Sequence, residues 1–178
     1  IRRFVRCNIK LNFFRRVEEY YLRQGFQQLI GVSYQIINAL INAVRNGKEV
    51  VVMLELRARF EEEANIEWKN RLEDEGAKVL VEIPNMKVHS KICVIKKRTK
   101  DNNFLMYGFV STGNLNERTS KVYADHCLLT SNQKIMADVS RIFNFLEQPK
   151  TGMNFLRDCK VVIPSPGFVK KEMIKLID

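Results

Sequence analysis

The pattern of apolar and polar positions predicts that helices alternate with strands along most of the chain. Apolar residues at three- and four-residue spacing predict helices, and glycines such as Gly47 and Gly76 mark where two of them end. Short, nearly continuous apolar runs predict strands. The predicted helices cover about 11–24, 35–46, 60–76, 133–147 and the residues from about 168 onward. The predicted strands cover 49–56, 77–83, 87–95, 104–110, 122–129 and 160–163.

This alternation is typical of an α/β domain built in layers. The Lys-, Asp- and Asn-rich stretch 96–103 lies between two predicted strands and predicts a hairpin, so the sheet should be mixed. We therefore expect an α/β layered domain, a mixed β-sheet flanked by helices, over 35–150. Residues 1–34 are an atypical basic and aromatic N-terminal segment, and 151–178 contain a linker and the start of a further domain.

The chain of 178 residues carries a formal net charge of +10. That excess predicts an anionic partner such as nucleic acid, polyphosphate, a nucleotide or a membrane surface, although a basic surface with no specific partner fits the charge alone equally well. No apolar run is long enough for a transmembrane helix, and no signal-peptide pattern follows the basic start. We expect a cytoplasmic protein, with peripheral attachment at the inner membrane face as an alternative.

The four cysteines are widely spaced and form no CxxC pair; they are Cys7, Cys93, Cys127 and Cys159. This spacing favours reduced thiols over a disulfide framework or a zinc site. The neighbouring histidines, His126 beside Cys127 and His89 four residues before Cys93, offer metal ligation as an alternative. Small buried thiols on strands are the commoner role for such residues.

The candidate chemistry lies in the predicted strand 87–95, where alternation would put Lys87, His89, Lys91 and Cys93 on one face. A neutral imidazole is a competent nucleophile, and a fixed cation beside it stabilises charge on a transferring phosphoryl group. A structural histidine is the ordinary alternative for a lone H-x-K pair. The loop Ser111–Asn116, which follows the predicted hairpin, strengthens the chemical interpretation.

This arrangement resembles the phospholipase-D-like superfamily, in which an H-x-K motif and a downstream loop of small residues and Asn meet at a phosphate site. That superfamily usually has an Asp a few residues after the lysine, whereas Ile92–Lys96 contains no acid. A relative that forms phosphohistidine is therefore favoured over a general phosphodiesterase.

Four blocks of sequence are similar to bacterial-type polyphosphate kinases, in order and in spacing. They are 38–79, KVHSKICVI (87–95), STGNLNERTSKVYADHCLLT (111–130) and IFNFLEQP (142–149). The resemblance covers about 35–178. It implies that 35–150 is the first of two C-terminal phospholipase-D-like domains, that 151–178 is a linker with the truncated start of the second, and that the chain is a fragment.

The resemblance also implies an activity, the reversible transfer of the ATP γ-phosphate onto inorganic polyphosphate through phospho-His89, with Mg²⁺ as cofactor. It implies that Arg59 belongs to the magnesium–phosphate site by gripping metal-bound phosphate and that Tyr123 binds the nucleotide. Lys91, beside His89, is expected to hold phosphoryl oxygens at the catalytic site. Thr112, Asn114 and Asn116 offer donors for phosphate oxygens, with a simple turn as the commoner alternative for such a loop. The expected partners are ATP, ADP, polyphosphate, the remaining domains of the enzyme and, as an option, further copies of the chain.

Two alternatives remain open from the sequence. One is a phospholipase-D-like nuclease or phosphodiesterase that assembles two H-x-K sites in a homodimer. The other is a non-catalytic polyanion-binding module, which gains support because Gly31 stands where the family has a phosphate-site arginine. Phe109 likewise stands where the family often has a histidine. We expect the isolated chain to bind anions but to have little or no kinase activity.

Overall fold

The computed structural model describes residues 3–8, 34–55, 62–81, 83–115, 121–165 and 167–177. The strands in these ranges are β1 (Arg3–Asn8), β2 (Glu49–Leu54), β3 (Lys78–Val81), β4 (Lys91–Arg98), β5 (Phe104–Ser111) and β6 (Cys127–Thr130). The helices are α1 (Tyr34–Arg45), α2 (Glu62–Asp74), α3 (Gln133–Glu147), α4 (Met153–Arg157) and α5 (Val169–Ile177). No helix in the described ranges is both long enough and apolar enough to cross a bilayer.

The strands form one mixed sheet in the order β3-β2-β1-β4-β5-β6. β1 and β3 pair with β2 in parallel, whereas β4 pairs antiparallel with β1 and β5, and β6 pairs antiparallel with β5. The carboxyl ends of β1 and β2 therefore lie at the same edge of the sheet as the start of β4. The expected layered α/β fold with a mixed sheet is confirmed.

Two buried clusters line the two faces of the sheet. On one face, Ile37 of α1 and Trp68 of α2 pack with Cys93 of β4. On the other face, Val94 of β4 packs with Phe143 of α3 and with the rest of a second cluster. Neighbouring residues of β4 thus enter different cores, as the alternation of side chains along a strand requires.

Several predicted elements are confirmed, and the boundaries of others are wrong. α3 covers 133–147 as predicted, and Asn132 caps it, because its side chain accepts from the backbone N–H groups of Lys134 and Ile135. The strand predicted at 87–95 begins only at Lys91. Lys91 pairs with Ser111, where β5 ends, so β5 offers no partner to the residues before Lys91. The strand predicted at 122–129 begins at Cys127. The helix expected over about 11–24 lies outside the described residues.

No strand forms at 160–163, so that prediction is wrong. The backbone nitrogens there donate hydrogen bonds to a carboxylate, not to a neighbouring strand. Asp138 of α3 is fully buried, and its Oδ2 accepts from the backbone nitrogens of Lys160, Val161 and Val162 at 2.9, 2.7 and 3.0 Å. The guanidinium of Arg141 donates to Oδ1 at 2.6 Å. Burial by itself raises the pKa of Asp138, but these hydrogen bonds outweigh it and hold the pKa below its usual value.

A side chain also replaces a strand at the edge of the sheet. β6 pairs with residues 108–111 of β5 and leaves the earlier part of β5 without a strand partner on that side. The Gln133 amide accepts from the Met106 nitrogen at 3.0 Å and donates to the Met106 oxygen at 2.8 Å. Both polar groups of that residue are therefore satisfied without a further strand.

Candidate functional site

His89 and Lys91 are in direct contact at the edge of the sheet where β4 begins. His89 is exposed in the segment 87–90, whereas Lys91 is the first residue of β4 and is only 5% exposed. The Lys91 Nζ atom lies 3.0 Å from Nδ1 and 3.2 Å from Nε2 of His89, and it donates to the His89 backbone oxygen at 2.7 Å. A desolvated ammonium is thus fixed against an imidazole that solvent can reach.

The end of β2 lies beside the same segment. Lys87 forms a salt bridge of 3.7 Å with Glu55, the residue that directly follows β2. The buried Asn65 of α2 donates to the Glu55 backbone oxygen at 3.1 Å and so holds this end of the strand in place. Arg59 follows four residues later, but it lies outside the described residues. The expected role of Arg59 at the magnesium–phosphate site therefore stays a prediction.

The loop after β5 is tied by hydrogen bonds to the segment before β6. Thr112 donates from Oγ1 to the Asp125 carboxylate at 2.9 Å, and the same hydroxyl accepts from the His126 nitrogen at 3.0 Å. Ser111 donates from Oγ to the His126 backbone oxygen at 3.1 Å and accepts from the Gly113 nitrogen at 3.2 Å. A Cβ on Gly113 would lie only 2.4 Å from the Asp125 carboxylate, so the close approach requires a glycine there.

Asn114 occupies the next position in this loop. Its Oδ1 atom is buried and has no hydrogen-bond partner among the described residues. The side chain of Leu115 beside it is in the core with Cys93 and Phe109, which anchors the end of the loop. An Asn amide presents either its oxygen or its NH₂ group after a half-turn about χ2, so this position can serve a donor or an acceptor.

The remaining predicted site residues are not brought to His89 by any contact in the described part of the chain. Tyr123 lies in the turn before β6 with 67% of its surface exposed. Asn116 lies outside the described residues. Within those ranges no three His, Cys, Asp or Glu side chains form a group that could hold a metal ion.

Sequence reasoning missed Asp125 as a residue that shapes the site. Its only signal is its place two residues after Tyr123, in the block 111–130 that carries the resemblance. Its contact with Thr112 depends on the pairing of β5 with β6, which local sequence does not encode.

A family model described as polyphosphate kinase C-terminal domain 1 matches residues 28–152 of this chain. The chain belongs to the polyphosphate kinase family. Over 144 residues, or 81% of this chain, it is 41% identical to the polyphosphate kinase of Vibrio cholerae and 37% identical to that of Escherichia coli K12. The chain spans about a fifth of the length of these relatives.

A solved structure of a polyphosphate kinase, from Porphyromonas gingivalis, is similar to the whole of the described fold. The match has a TM-score of 0.62 at 26% sequence identity and covers 99% of this chain and 25% of that protein. The resemblance inferred from four blocks of sequence is therefore confirmed at the level of family and of fold.

Proposed function

We propose that this chain is the part of an ATP:polyphosphate phosphotransferase in which His89 carries the phosphoryl group between the two substrates. The observation that carries the proposal is the contact between the buried Lys91 ammonium and the exposed His89 imidazole. The contact holds a positive charge beside a ring that remains open to solvent and to a substrate. A phosphoryl acceptor gains a fixed positive charge where the oxygens of the transferring group must lie.

The reaction takes place in two transfers. A ring nitrogen of His89 attacks the γ-phosphorus of ATP, the bond from that phosphorus to the bridging oxygen breaks, and ADP leaves with the electron pair. The terminal oxygen of a polyphosphate chain then attacks the same phosphorus, and the bond to the histidine nitrogen breaks. Each step reverses by the same path. In phosphoryl transfer, positioning and electrostatic stabilisation supply most of the rate.

Lys91 contributes through its fixed position and its burial. Its hydrogen bond to the His89 backbone oxygen holds the ammonium in place before any substrate arrives. Because the ammonium is largely removed from water, its attraction for phosphoryl oxygens is screened less than that of an exposed lysine. Little reorganisation is then needed when charge develops on the transferring group.

The other predicted residues complete the site in this proposal. Arg59 grips phosphate oxygens with two parallel hydrogen bonds, and Tyr123 places the nucleotide. The loop residues Thr112, Asn114 and Asn116 contribute polar groups to the phosphates. Mg²⁺ commonly binds through substrate phosphates and one or two carboxylates, and when bound it offsets the phosphate charge that Arg59 grips.

The complete activity requires more protein than this chain. Since the chain spans about a fifth of its relatives, we expect the remaining domains to supply further groups for the substrates. The isolated chain should bind polyanions and show little or no polymer synthesis. We place the enzyme in the cytoplasm, with peripheral attachment to the inner membrane face and homo-oligomer formation as further hypotheses.

The test is phosphorylation of the full-length enzyme that contains this segment, with ATP labelled at the γ-phosphate. The label should be acid-labile and stable to base, and His89→Ala should abolish it. The chain has two histidines, so His126→Ala is a matched control, since the hydrogen bonds of His126 described above come from its backbone. Label that survives His89→Ala, or cleavage of a bis-phosphodiester at a comparable rate, would overturn the proposal.

A further inference from the structure

We propose that the tip of the β4–β5 hairpin is a second polyanion-binding site, which holds linear inorganic polyphosphate far from His89. The site consists of Lys96, Lys97, Arg98 and Lys100, called here the hairpin cluster. The inference rests on the proposed function, because it takes polyphosphate as the substrate. It adds a binding surface and a chain-length dependence that the site at His89 does not supply.

The hairpin cluster places basic residues at the end of β4 and in the turn that follows it, and the neighbours Lys97 and Arg98 lie on opposite faces of the strand. Lys97, Arg98 and Lys100 are exposed, and none of the three forms a salt bridge with an acidic side chain in the described part of the chain. Asp101 is the only acidic residue between Lys96 and Phe104. A cluster of this kind produces a positive potential that attracts polyanions.

The register of the sheet brings a further basic position to the level of the cluster. β1 pairs antiparallel with β4, and the backbone of Arg3 is directly opposite Lys97. A fifth basic residue thus neighbours the cluster along the backbone.

Arg98 is held in a defined position. Its guanidinium carbon lies 5.5 Å from the centre of the Phe104 ring, and the two residues are directly paired across β4 and β5. A guanidinium that is fixed on an aromatic ring loses less conformational entropy when it binds a phosphate. Because Arg98 covers one face of Phe104, less of that ring is free to stack on a base. Polyphosphate therefore fits the cluster better than single-stranded nucleic acid.

The distance between the two sites predicts which ligands can reach both. β4 runs from Lys91, in contact with His89, to Arg98 in the hairpin cluster. Seven residue steps along a strand span about 24 Å. A nucleotide or a tripolyphosphate is too short to bridge this distance, whereas a long polyphosphate chain can occupy both sites. The hairpin cluster should therefore increase the affinity for long chains selectively and retain them between transfers.

The binding experiment uses this chain with long-chain polyphosphate and with tripolyphosphate as separate probes. We expect the triple variant Lys97→Gln, Arg98→Gln, Lys100→Gln to lose about tenfold in affinity for the long chain at low salt. We expect its affinity for tripolyphosphate to stay unchanged. By analogy with single-stranded nucleic acid, the slope of log affinity against log salt should become shallower by about two.

The matched control removes the same charge elsewhere. Lys150, Lys170 and Lys171 are exposed lysines, and the triple variant in which each becomes Gln has the same net charge as the hairpin variant. Equal losses in the two triple variants would overturn the proposal, since net charge alone would then explain them. An equal loss for tripolyphosphate, or tighter binding of single-stranded RNA than of polyphosphate, would overturn it as well.

Two further measurements separate this proposal from other outcomes. Lys97→Glu should weaken long-chain binding more than Lys97→Gln does, because it adds a negative charge to the cluster as well as removing a positive one. Long-chain affinity equal to that of the unchanged protein would contradict a role for Lys97 in the cluster. His89→Ala should leave the contribution of the hairpin cluster intact, so a failure of phosphorylation at His89 would not be mistaken for a failure of the cluster.

Discussion

The Nζ atom of Lys91 lies 2.7 Å from the backbone oxygen of His89 and 3.0 Å from Nδ1 of the same residue. One cation therefore contacts both the backbone and the ring of the residue that precedes it by two positions. The contact arises because β4 starts at Lys91 and leaves His89 in the segment before the strand, where the ring can reach both the ammonium and solvent.

The first prediction concerns the charge on Lys91. Lys91→Met keeps the length and burial of the side chain but removes the cation, so the rate of phosphohistidine formation should fall by about a hundredfold or more. Stability should change little, because an apolar chain replaces a buried charge. Lys87→Met is the control, since that side chain is 72% exposed. Equal rates of labelling in the two variants would exclude Lys91 from the transfer step.

The second prediction concerns the pH dependence of stability through Asp138. Its pKa in the folded protein is below the ordinary value of 3.8, so its contribution to stability is present above that value and is lost as pH falls through the lowered pKa. Asp138→Asn should reduce the free energy of unfolding at neutral pH by about 2–4 kcal/mol, because the amide lacks the negative charge that strengthens the three backbone hydrogen bonds and the pairing with Arg141. Denaturant titrations across acidic pH should show a smaller loss of stability in the variant.

Asp158→Asn is the control for this change, because Asp158 is exposed and adjacent to the same segment. It should leave both the stability at neutral pH and its acid dependence nearly unchanged. If Asp138→Asn followed the same acid profile as the unchanged protein, the carboxylate would not be the group that titrates there.

The third prediction concerns the contact between Gly113 and Asp125. Gly113→Ala would place a Cβ 2.4 Å from the Asp125 carboxylate, so the loop or the segment before β6 must shift, at a cost of about 1–3 kcal/mol. The displaced loop should also slow phosphorylation of His89. In a double-mutant cycle with Asp125→Gly, part of the loss of stability should disappear. Purely additive effects would show that the two residues are not in contact.

The fourth prediction concerns the reactivity of thiols. Burial, assisted by the Asp138 carboxylate, raises the pKa of Cys159 from 9.0 to about 11. At equal access, the thiolate fraction near pH 8 is then about a hundredfold lower than for an unperturbed thiol, and reactivity follows the thiolate. Peptide mapping after brief treatment with iodoacetamide should show modification at the exposed Cys127 well before Cys159. Faster modification of Cys159 would contradict its burial.

The features that the sequence predicted well depend on neighbouring residues. α3 was predicted with both ends correct, because its apolar spacing is a local signal. The sequence also predicted that His89 and Lys91 lie close together, on one face of a strand at 87–95. The two residues are in contact, although β4 begins only at Lys91 and His89 lies before it. The fold class followed from the order of helices and strands, which tertiary contacts did not change.

The features that the sequence did not predict depend on distant contacts. β1 was missed because its residues become a strand only by pairing with both β2 and β4. Lys160–Ile163 has the composition of a strand, yet the backbone of this stretch is bound by Asp138, which lies 22 residues before Lys160. The hydrogen bond from Thr112 to Asp125 likewise depends on the pairing of β5 with β6.

The amide of Gln133 has a consequence for how other proteins can approach the sheet. An extended peptide that joins a sheet edge needs unpaired backbone groups to bind, and at Met106 both groups are already bound within the molecule. A competing segment would first have to displace that glutamine from its position at the start of α3. Replacing it with an apolar residue would open this stretch of β5 to pairing between molecules, and self-association is the defect that such a variant should show.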